Sequence, residues 1–549
     1  MLSMKIDGAH VELPPDFSVT MNLKSPIFNE AGSYSYPFRI PNTPRNAIRM
    51  GFRHRVSSTG NIYHEFDGAF FWKGISLFTG TAKMKVLNSS AFEGYLMEGN
   101  GSFNYHRKNE TLQDVDYGQM VFDTEDIKMQ YINDCANTVY PNRFIAFPEI
   151  QNLSYFDEVP TDPALQYFNY YFQSLIHKSN GEGVRYVIVP MLYLRYVLKK
   201  IFEHLGFAFD DSFFTSDVDY NSMVLYNSVD CNTTETGYFL YDSLRLLFNY
   251  HVPRMNINDF FTGLETFFNI RFFVNNANRV VKLISVDKIV KSSDSIEFSN
   301  QLISISIEPE EKVTGFHLKM DMQTEDGTYK IEQPYQDSLL KFIKPSVQSI
   351  SDLNPWPSAT IFDTRFVFDQ DKYYILTSGR VWEPIGVMYW TWNLFSEWIY
   401  KNDDQSINTK FSGLMSEKDH PYNAIIGNKR ENWKDVTPKL FFIRYQDDDP
   451  LNKKVSGRGF VAPHVLVTNG LFYGGETGLL NKHYKAYFDF RISTKPVKIV
   501  KHMAFLELKD FDFSKKYMIG GIKYLVKSIQ VVIRKDRIMP ATLECYTCN

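Results

Sequence analysis

The chain has 549 residues, too many for one ordinary hydrophobic core, so several domains are expected. Its 44% hydrophobic and 22% charged residues exclude a disordered chain, and 59 basic against 63 acidic residues exclude a general nucleic-acid binder, which must set excess Lys and Arg against phosphates. No run of about 18 apolar residues occurs, so no transmembrane segment is expected. The first residues also lack the basic and apolar regions of a signal peptide. The abundance of Phe (46) and Tyr (34) suits pleated sheets and aromatic-rich interfaces, because these rings bury much area each.

Residues 1–120 read as β almost throughout. Short runs at 18–23, 34–40, 69–72, 75–79, 83–87 and 92–97 alternate with Gly, Pro, Asn and Ser clusters, the spacing of a small barrel or sandwich. Pro37, Pro41, Asn42, Pro44 and Arg45 interrupt this pattern. Proline donates no ladder hydrogen bond, so the segment is expected as an ordered edge or projecting loop, a candidate assembly contact. The pattern then loosens, and 121–165 reads as a connector with short elements.

Residues 166–345 form a mixed region. A helix is expected at 167–177, and the clearest one at 191–205, where Leu194, Val197, Leu198, Ile201, Phe202 and Leu205 make one apolar stripe that stops at Gly206. The helix 258–270 follows, with Asn256 or Asn258 as N-cap and Phe260, Phe261, Leu264, Phe267 and Phe268 as its stripe. It feeds a β-hairpin, with runs 271–274 and 280–284 around Asn275-Asn276-Ala277-Asn278. Alternating strands are expected at 296–307 and 313–320.

Pro and Ser around 352–358 mark a boundary, beyond which 346–480 reads as an added β-rich aromatic domain. Strands are expected there at 361–367, 373–377, 387–392, 439–445 and 464–467, with a short helix at 394–400. Trp382, Trp390, Trp392 and Trp398 make either a packed core or a sugar-stacking platform for a glycan or partner. Residues 481–549 read as C-terminal β-strands, at 487–492, 497–508, 516–520, 521–526 and 528–534. The last three form a meander turning at Gly520-Gly521, expected to pack back on the earlier β-domains. The fold class is α+β, predominantly β, multi-domain, with barrel-like β-domains and a mixed helix/strand middle region.

Chemistry is sparse. Phosphate-loop, dinucleotide, metalloprotease and nucleophile-elbow motifs are absent. Gly474 to Gly478 lacks the Lys-Ser/Thr of a phosphate loop, and Asp447 to Asp449 and Asp369-Gln370-Asp371 lack calcium-loop spacing. Cys545 and Cys548 form a C-x-x-C without a second ligand pair, and read as reduced thiols more than as a zinc or redox site. No catalytic, cofactor-binding or metal-ligating residue is assigned, no cofactor is expected, and the chain is not expected to be an enzyme.

The order of parts resembles the hub proteins at the tip of phage tails and of related contractile injection systems. Residues 258–284 resemble their recurrent helix-then-hairpin element. The segment from Ser25 to Asn46 is similar to the start of tail proteins in phages and prophages of Bacteroides-type bacteria, and 508–532 shares their style. The resemblance covers residues 1–340 and the C-terminal strands; 345–480 depart from the simplest hub plan. It implies a tail-tip or baseplate hub, a structural virion protein of the tail, assembled in the host cytoplasm. The implied assembly is a homo-trimer that meets tail tube or distal tail protein on one face and a spike or fibre on the other, with strand edges covered by neighbours. A receptor- or glycan-binding tail protein using the tryptophans, and a polysaccharide or cell-wall hydrolase housed in 345–480, remain as alternatives.

Overall fold

The computed structural model describes residues 1–28, 32–52, 63–88, 90–106, 110–136, 138, 140–152, 163–179, 185–232, 244–298, 301–309 and 478–548. Between 310 and 477 it describes the strand segments 315–320, 340–343, 360–369, 372–382, 388–399, 405–409, 412–413, 415–416, 424–426, 439–446 and 454–458, with side chains only at 411, 438–443 and 471. The expected strand at 464–467, the glycines before Gly478 and the aspartates 447–449 lie outside these residues.

One large sheet dominates. Its path runs from the hairpin Leu2–Ile6/Ala9–Val11 through Tyr63–Trp72, Ile75–Asn88, Ala91–Glu98, Ser33–Ser35 and Ser18–Lys24, then crosses to Ile522–Arg534, Ala541–Cys548, Pro496–Lys501 and Leu302–Ile307. The N-terminal hairpins close where two successive residues take positive φ, Asp7-Gly8 and Lys73-Gly74, the geometry that matches strand twist. Among the described residues the path does not close, so the barrel-like expectation is corrected to an open sheet. The reason is that Ser18–Lys24 gives one edge to Ile522–Arg534, from Ser18↔Arg534 to Lys24↔Ser528, instead of returning to the N-terminal strands.

Two hydrophobic cores lie against this sheet. One gathers residues from both chain ends, including Met4, Met21, Phe70, Leu96, Ile499, Val531 and Leu543. The other gathers the middle of the chain around the helices Leu194–His204 and Ile257–Phe268. Strands Ile522–Arg534 and Ala541–Cys548 wall off both: Val526 and Cys545 face the first core, Leu525, Tyr546 and Cys548 the second. Alternation along a strand therefore puts the two thiols of the C-x-x-C on opposite faces, where they cannot share a metal. Burial pushes the Cys548 thiol up to about 11 and Cys545 higher still, far from a reactive thiolate.

The two periodic helices form, but the one expected at 191–205 begins only at Leu194, because Met191–Leu192 is a strand paired with Ile145–Ala146. All five of Leu194, Val197, Leu198, Ile201 and Phe202 are buried, and the left-handed Gly206 (φ 78°) follows the end. In Ile257–Phe268 the Asn256 side chain accepts from the Asn258 N–H at 2.7 Å, and Asn269 ends the helix in the left-handed region. The helices meet where Phe261 stacks on Phe202 at 5.2 Å, and the first hairpin strand adds Phe272 at 4.6 Å from Phe261.

Other expectations are corrected. Residues 167–177 are not helical: Tyr167–Phe168, Tyr171–Phe172 and Leu175–Ile176 are short strands, the last two turning through left-handed Gln173 and Ser174. The expected helix at 394–400 is, over its described residues, the end of the strand Met388–Ile399. The expected strand 487–492 lies in the helix Lys485–Ser493, and 497–508 splits into the strand Pro496–Lys501 and the helix Phe505–Lys509. Residues 521–526 and 528–534 are one strand with a bulge at Val526/Ser528, so the meander keeps its Gly520-Gly521 turn but has one strand fewer. The segment 121–165 holds an unanticipated helix, Glu125–Ala136, which buries Lys128 with its ammonium donating to the Asn232 Oδ1 at 2.6 Å.

Candidate assembly surface

Behind any outer surface lies the joint that fixes the two cores to each other. The hairpin Ile270–Asn275/Val280–Ser285 leans on the N-terminal strands through two asparagines. Asn100 donates its Nδ2 to the Phe272 carbonyl at 2.6 Å and accepts from the Val274 N–H at 3.3 Å. Asn276, in the hairpin loop, donates to the Thr79 carbonyl at 3.0 Å. Backbones must come close here, and Gly32 allows it: a Cβ at this left-handed position would sit 2.0 Å from the Gly101 nitrogen. Half-buried Glu98 lies beside the clasp and accepts from the Thr79 N–H at 3.4 Å; burial raises its carboxyl to about 8.

A second joint caps the short helix Val286–Lys291. Lys516 donates to the Val290 and Ser292 carbonyls at 2.6 and 2.7 Å, and Lys523 to the Ser293 carbonyl at 2.8 Å. These ammonium groups meet the negative end of the helix, where a cation is stabilising. A third pins the late helical turn Leu480–Tyr484 under the central helix. Asn269 donates to the His483 carbonyl at 2.7 Å, the Tyr484 hydroxyl donates to the Thr266 carbonyl, and the Tyr220 hydroxyl and the His483 Nε2 share a hydrogen bond at 2.6 Å. Burial depresses His483 to about 3, so its ring stays neutral.

The residues singled out from sequence fall in three places. Pro37 precedes the strand Phe38–Pro41, which pairs only with Ala91–Glu98 among the described strands, and it lines a shallow cavity of about 330 Å³ with Tyr34, Tyr95 and Met97. Pro41, Asn42, Pro44 and Arg45 lie at the other end of that strand. Thr43 caps the helix Pro44–Arg49 and Pro44 opens it, where a missing N–H costs nothing. This corner is held by a residue sequence reasoning passed over, buried Asn46. Its Nδ2 donates to the Glu12 and Pro41 carbonyls, each at 2.9 Å, while its Oδ1 accepts from the Glu12 N–H at 2.8 Å. Arg45 adds an exposed ion pair to Glu12 at 3.5 Å. Trp382 ends the strand Lys372–Trp382; Trp390, Trp392 and Trp398 lie on Met388–Ile399, in a three-stranded antiparallel sheet. The surroundings of their side chains lie outside the described residues.

The sheet's two ends differ. Ala9–Val11 is short, is followed by Pro14 and Pro15, and has the Asn46 corner packed beside it. Leu302–Ile307, Leu-Ile-Ser-Ile-Ser-Ile, has no charge or proline and is exposed throughout, with only Pro496–Lys501 paired to it among the described strands. Open apolar edges of this kind invite pairing with another chain. The arrangement can thus hold and present surfaces. Among the described residues no three His, Cys, Asp or Glu side chains gather as a metal site, and no helix is long and apolar enough to cross a membrane.

No protein-family model matches the chain, and no curated protein matches it. Among solved structures, it is similar to the 43 kDa tail protein of prophage MuSo2 from Shewanella oneidensis, at 6% identity and a TM-score of 0.34, covering 99% of this chain and 95% of that one. It is also similar to a tail protein from Neisseria meningitidis MC58, at 6% identity and a TM-score of 0.30, with the same coverages of 99% and 95%.

Proposed function

We propose that this chain is a structural protein of a bacteriophage tail, a tail-tip or baseplate hub that joins the tail tube to distal tail or spike proteins. The observation that carries this reading is the joint. The helix-and-hairpin of 258–284 and the N-terminal strands that follow the Ser25 to Asn46 segment, the parts that resemble tail hubs, are clasped through Asn100 and Asn276. The C-terminal strands complete the same sheet. A hub needs this kind of build, since it must transmit load between unlike partners without its domains turning against each other. In the proposed assembly three copies ring the tail axis, and the protein has no enzymatic activity of its own.

Electron microscopy of the chain mixed with tail tube and distal tail proteins tests this. The expected result is a ring seated at tube ends; a chain that stays single in every mixture overturns it. A glycan-binding role is the second reading, favoured by Trp390 and Trp392 at alternate positions of one strand. Binding on a glycan array that Trp390→Ala abolishes would support it over the first.

A further inference from the structure

We propose that Leu302–Ile307 is a self-association edge, at which two copies of the free chain pair antiparallel across a two-fold axis at Ser306. The backbone pattern sets which groups are available. The Glu308 N–H bonds to the Pro496 carbonyl, so Ser304, Ser306 and Glu308 direct their hydrogen bonds inward, toward Pro496–Lys501. Ile305 and Ile307 therefore turn their N–H and C=O groups out from the edge. With the two-fold at Ser306, Ile305 of each copy lies opposite Ile307 of the other, and both pairs exchange hydrogen bonds. The bulge at Leu302/Ser304 stays outside this seam.

The side chains fit the same register. Ile305 and Ile307 pair with Ile499 and Val497, which are buried, so they share the core-facing side of the sheet. Yet Ile305 is 43% exposed and Ile307 71%. Antiparallel pairing brings the four isoleucines of two copies together on that side and places Ser306 against Ser306 on the other. No charge lies within the strand, and the two Glu308 carboxylates fall at opposite ends of the seam. Head-to-tail joining of sheets is disfavoured, since the other edge, Ala9–Val11, is short and flanked by the Asn46 corner. A seam this short buries less than the ~1,200–2,000 Å² of a stable interface, so the pairing is reversible and depends on concentration. It stands apart from the tail reading: a tail axis is polar and holds no such two-fold, so the paired form belongs to the chain outside a tail.

A cysteine pair tests the register. Directly opposed residues that do not exchange hydrogen bonds have Cα atoms about 4.5 Å apart, within disulfide range. Ser306→Cys is expected to give a disulfide-linked dimer under mild oxidation. Ser304→Cys, equally exposed but placed opposite Glu308, is expected to remain unlinked. The native cysteines Cys135, Cys231, Cys545 and Cys548 are buried and do not compete. In sedimentation, Ile307→Lys is expected to shift the full chain from the mass of two copies to that of one with its thermal unfolding unchanged, while Val218→Lys, at an 86% exposed site elsewhere, leaves the dimer intact. The proposal is overturned if the unaltered chain stays single across the concentration range, if both cysteine variants link equally, or if the edge pairs only with a strand from a different protein.

Discussion

The two cores reach similar burial by different routes. Inside the middle core, Phe261 and Phe272 sit on consecutive elements, the helix Ile257–Phe268 and the strand Ile270–Asn275, and Phe202 comes to them from the separate helix Leu194–His204. The sheet core joins Ser18–Lys24 to Ile522–Arg534, strands from opposite ends of the chain. The helix and hairpin of 257–285 make local contacts that can form early, whereas the sheet must wait for loop closure across most of the chain. The clasp at Asn100 and Asn276 links a product of the first route to a product of the second.

The largest effect is expected from the middle core. Phe267→Asp places a carboxylate among Phe268 and Phe411, where the ring is fully buried, and should cost more than about 4 kcal/mol. Circular dichroism should show lost structure; a folded variant that still assembles would contradict the role given to this helix.

Next in size is the response to pH, which should differ between the cores. In the middle core, His251 accepts from the Asn227 Nδ2 at 2.7 Å and His483 shares a hydrogen bond with Tyr220, and burial holds both rings down at about 3. Unfolded histidine takes its proton near 6.5, so this stability is complete above pH 6.5 and is lost as pH falls toward 3. Glu98 runs the other way. Its folded carboxyl keeps a proton up to about 8 while the unfolded one ionises near 4.5, so its contribution falls as pH rises between those values. Hydrogen exchange across pH should therefore loosen the middle core as pH falls below 6.5 and the Glu98 strand as pH rises from 4.5 to about 8. Glu98→Gln should abolish the response on rising pH alone.

A smaller effect separates the cores without melting either. Asn100→Ala leaves the Phe272 carbonyl and Val274 N–H without their side-chain partner and should cost about 1–3 kcal/mol. Exchange should rise in Ile270–Asn275 while Leu194–His204 stays protected. Asn46→Ala, at the corner, should cost a similar or smaller amount, about 1–2 kcal/mol, and be felt at Glu12 and Pro41.

How much could be read from the sequence follows the same division. The helices around Leu198 and Leu264 announced themselves by a 3.6-residue stripe with an Asn or Gly at the ends, since both signals are local. Lys485–Ser493 did not, because its Tyr487, Phe488 and Phe490 read equally well as β-rich. Glu125–Ala136 was hidden because it buries Lys128, which breaks the apolar stripe. Strand order was illegible for a different reason: nothing in Ser18–Lys24 names Ile522–Arg534 as its neighbour. Among the surface candidates, the prolines around Asn42 stood out as residue types, while Asn46 and Asn100, which hold the corner and the clasp, are ordinary asparagines until their partners are known.

We propose that the clasped cores act as one rigid hub at the end of a tail tube. Electron microscopy of the tube protein mixed with either the unaltered chain or the Asn100→Ala/Asn276→Ala variant tests it most directly. The unaltered chain is expected to cap tube ends as a closed ring, and the variant, folded but with its clasp released, to cap few or none. An unaltered chain that leaves every tube end bare, or a variant that caps as well as the original, would contradict it.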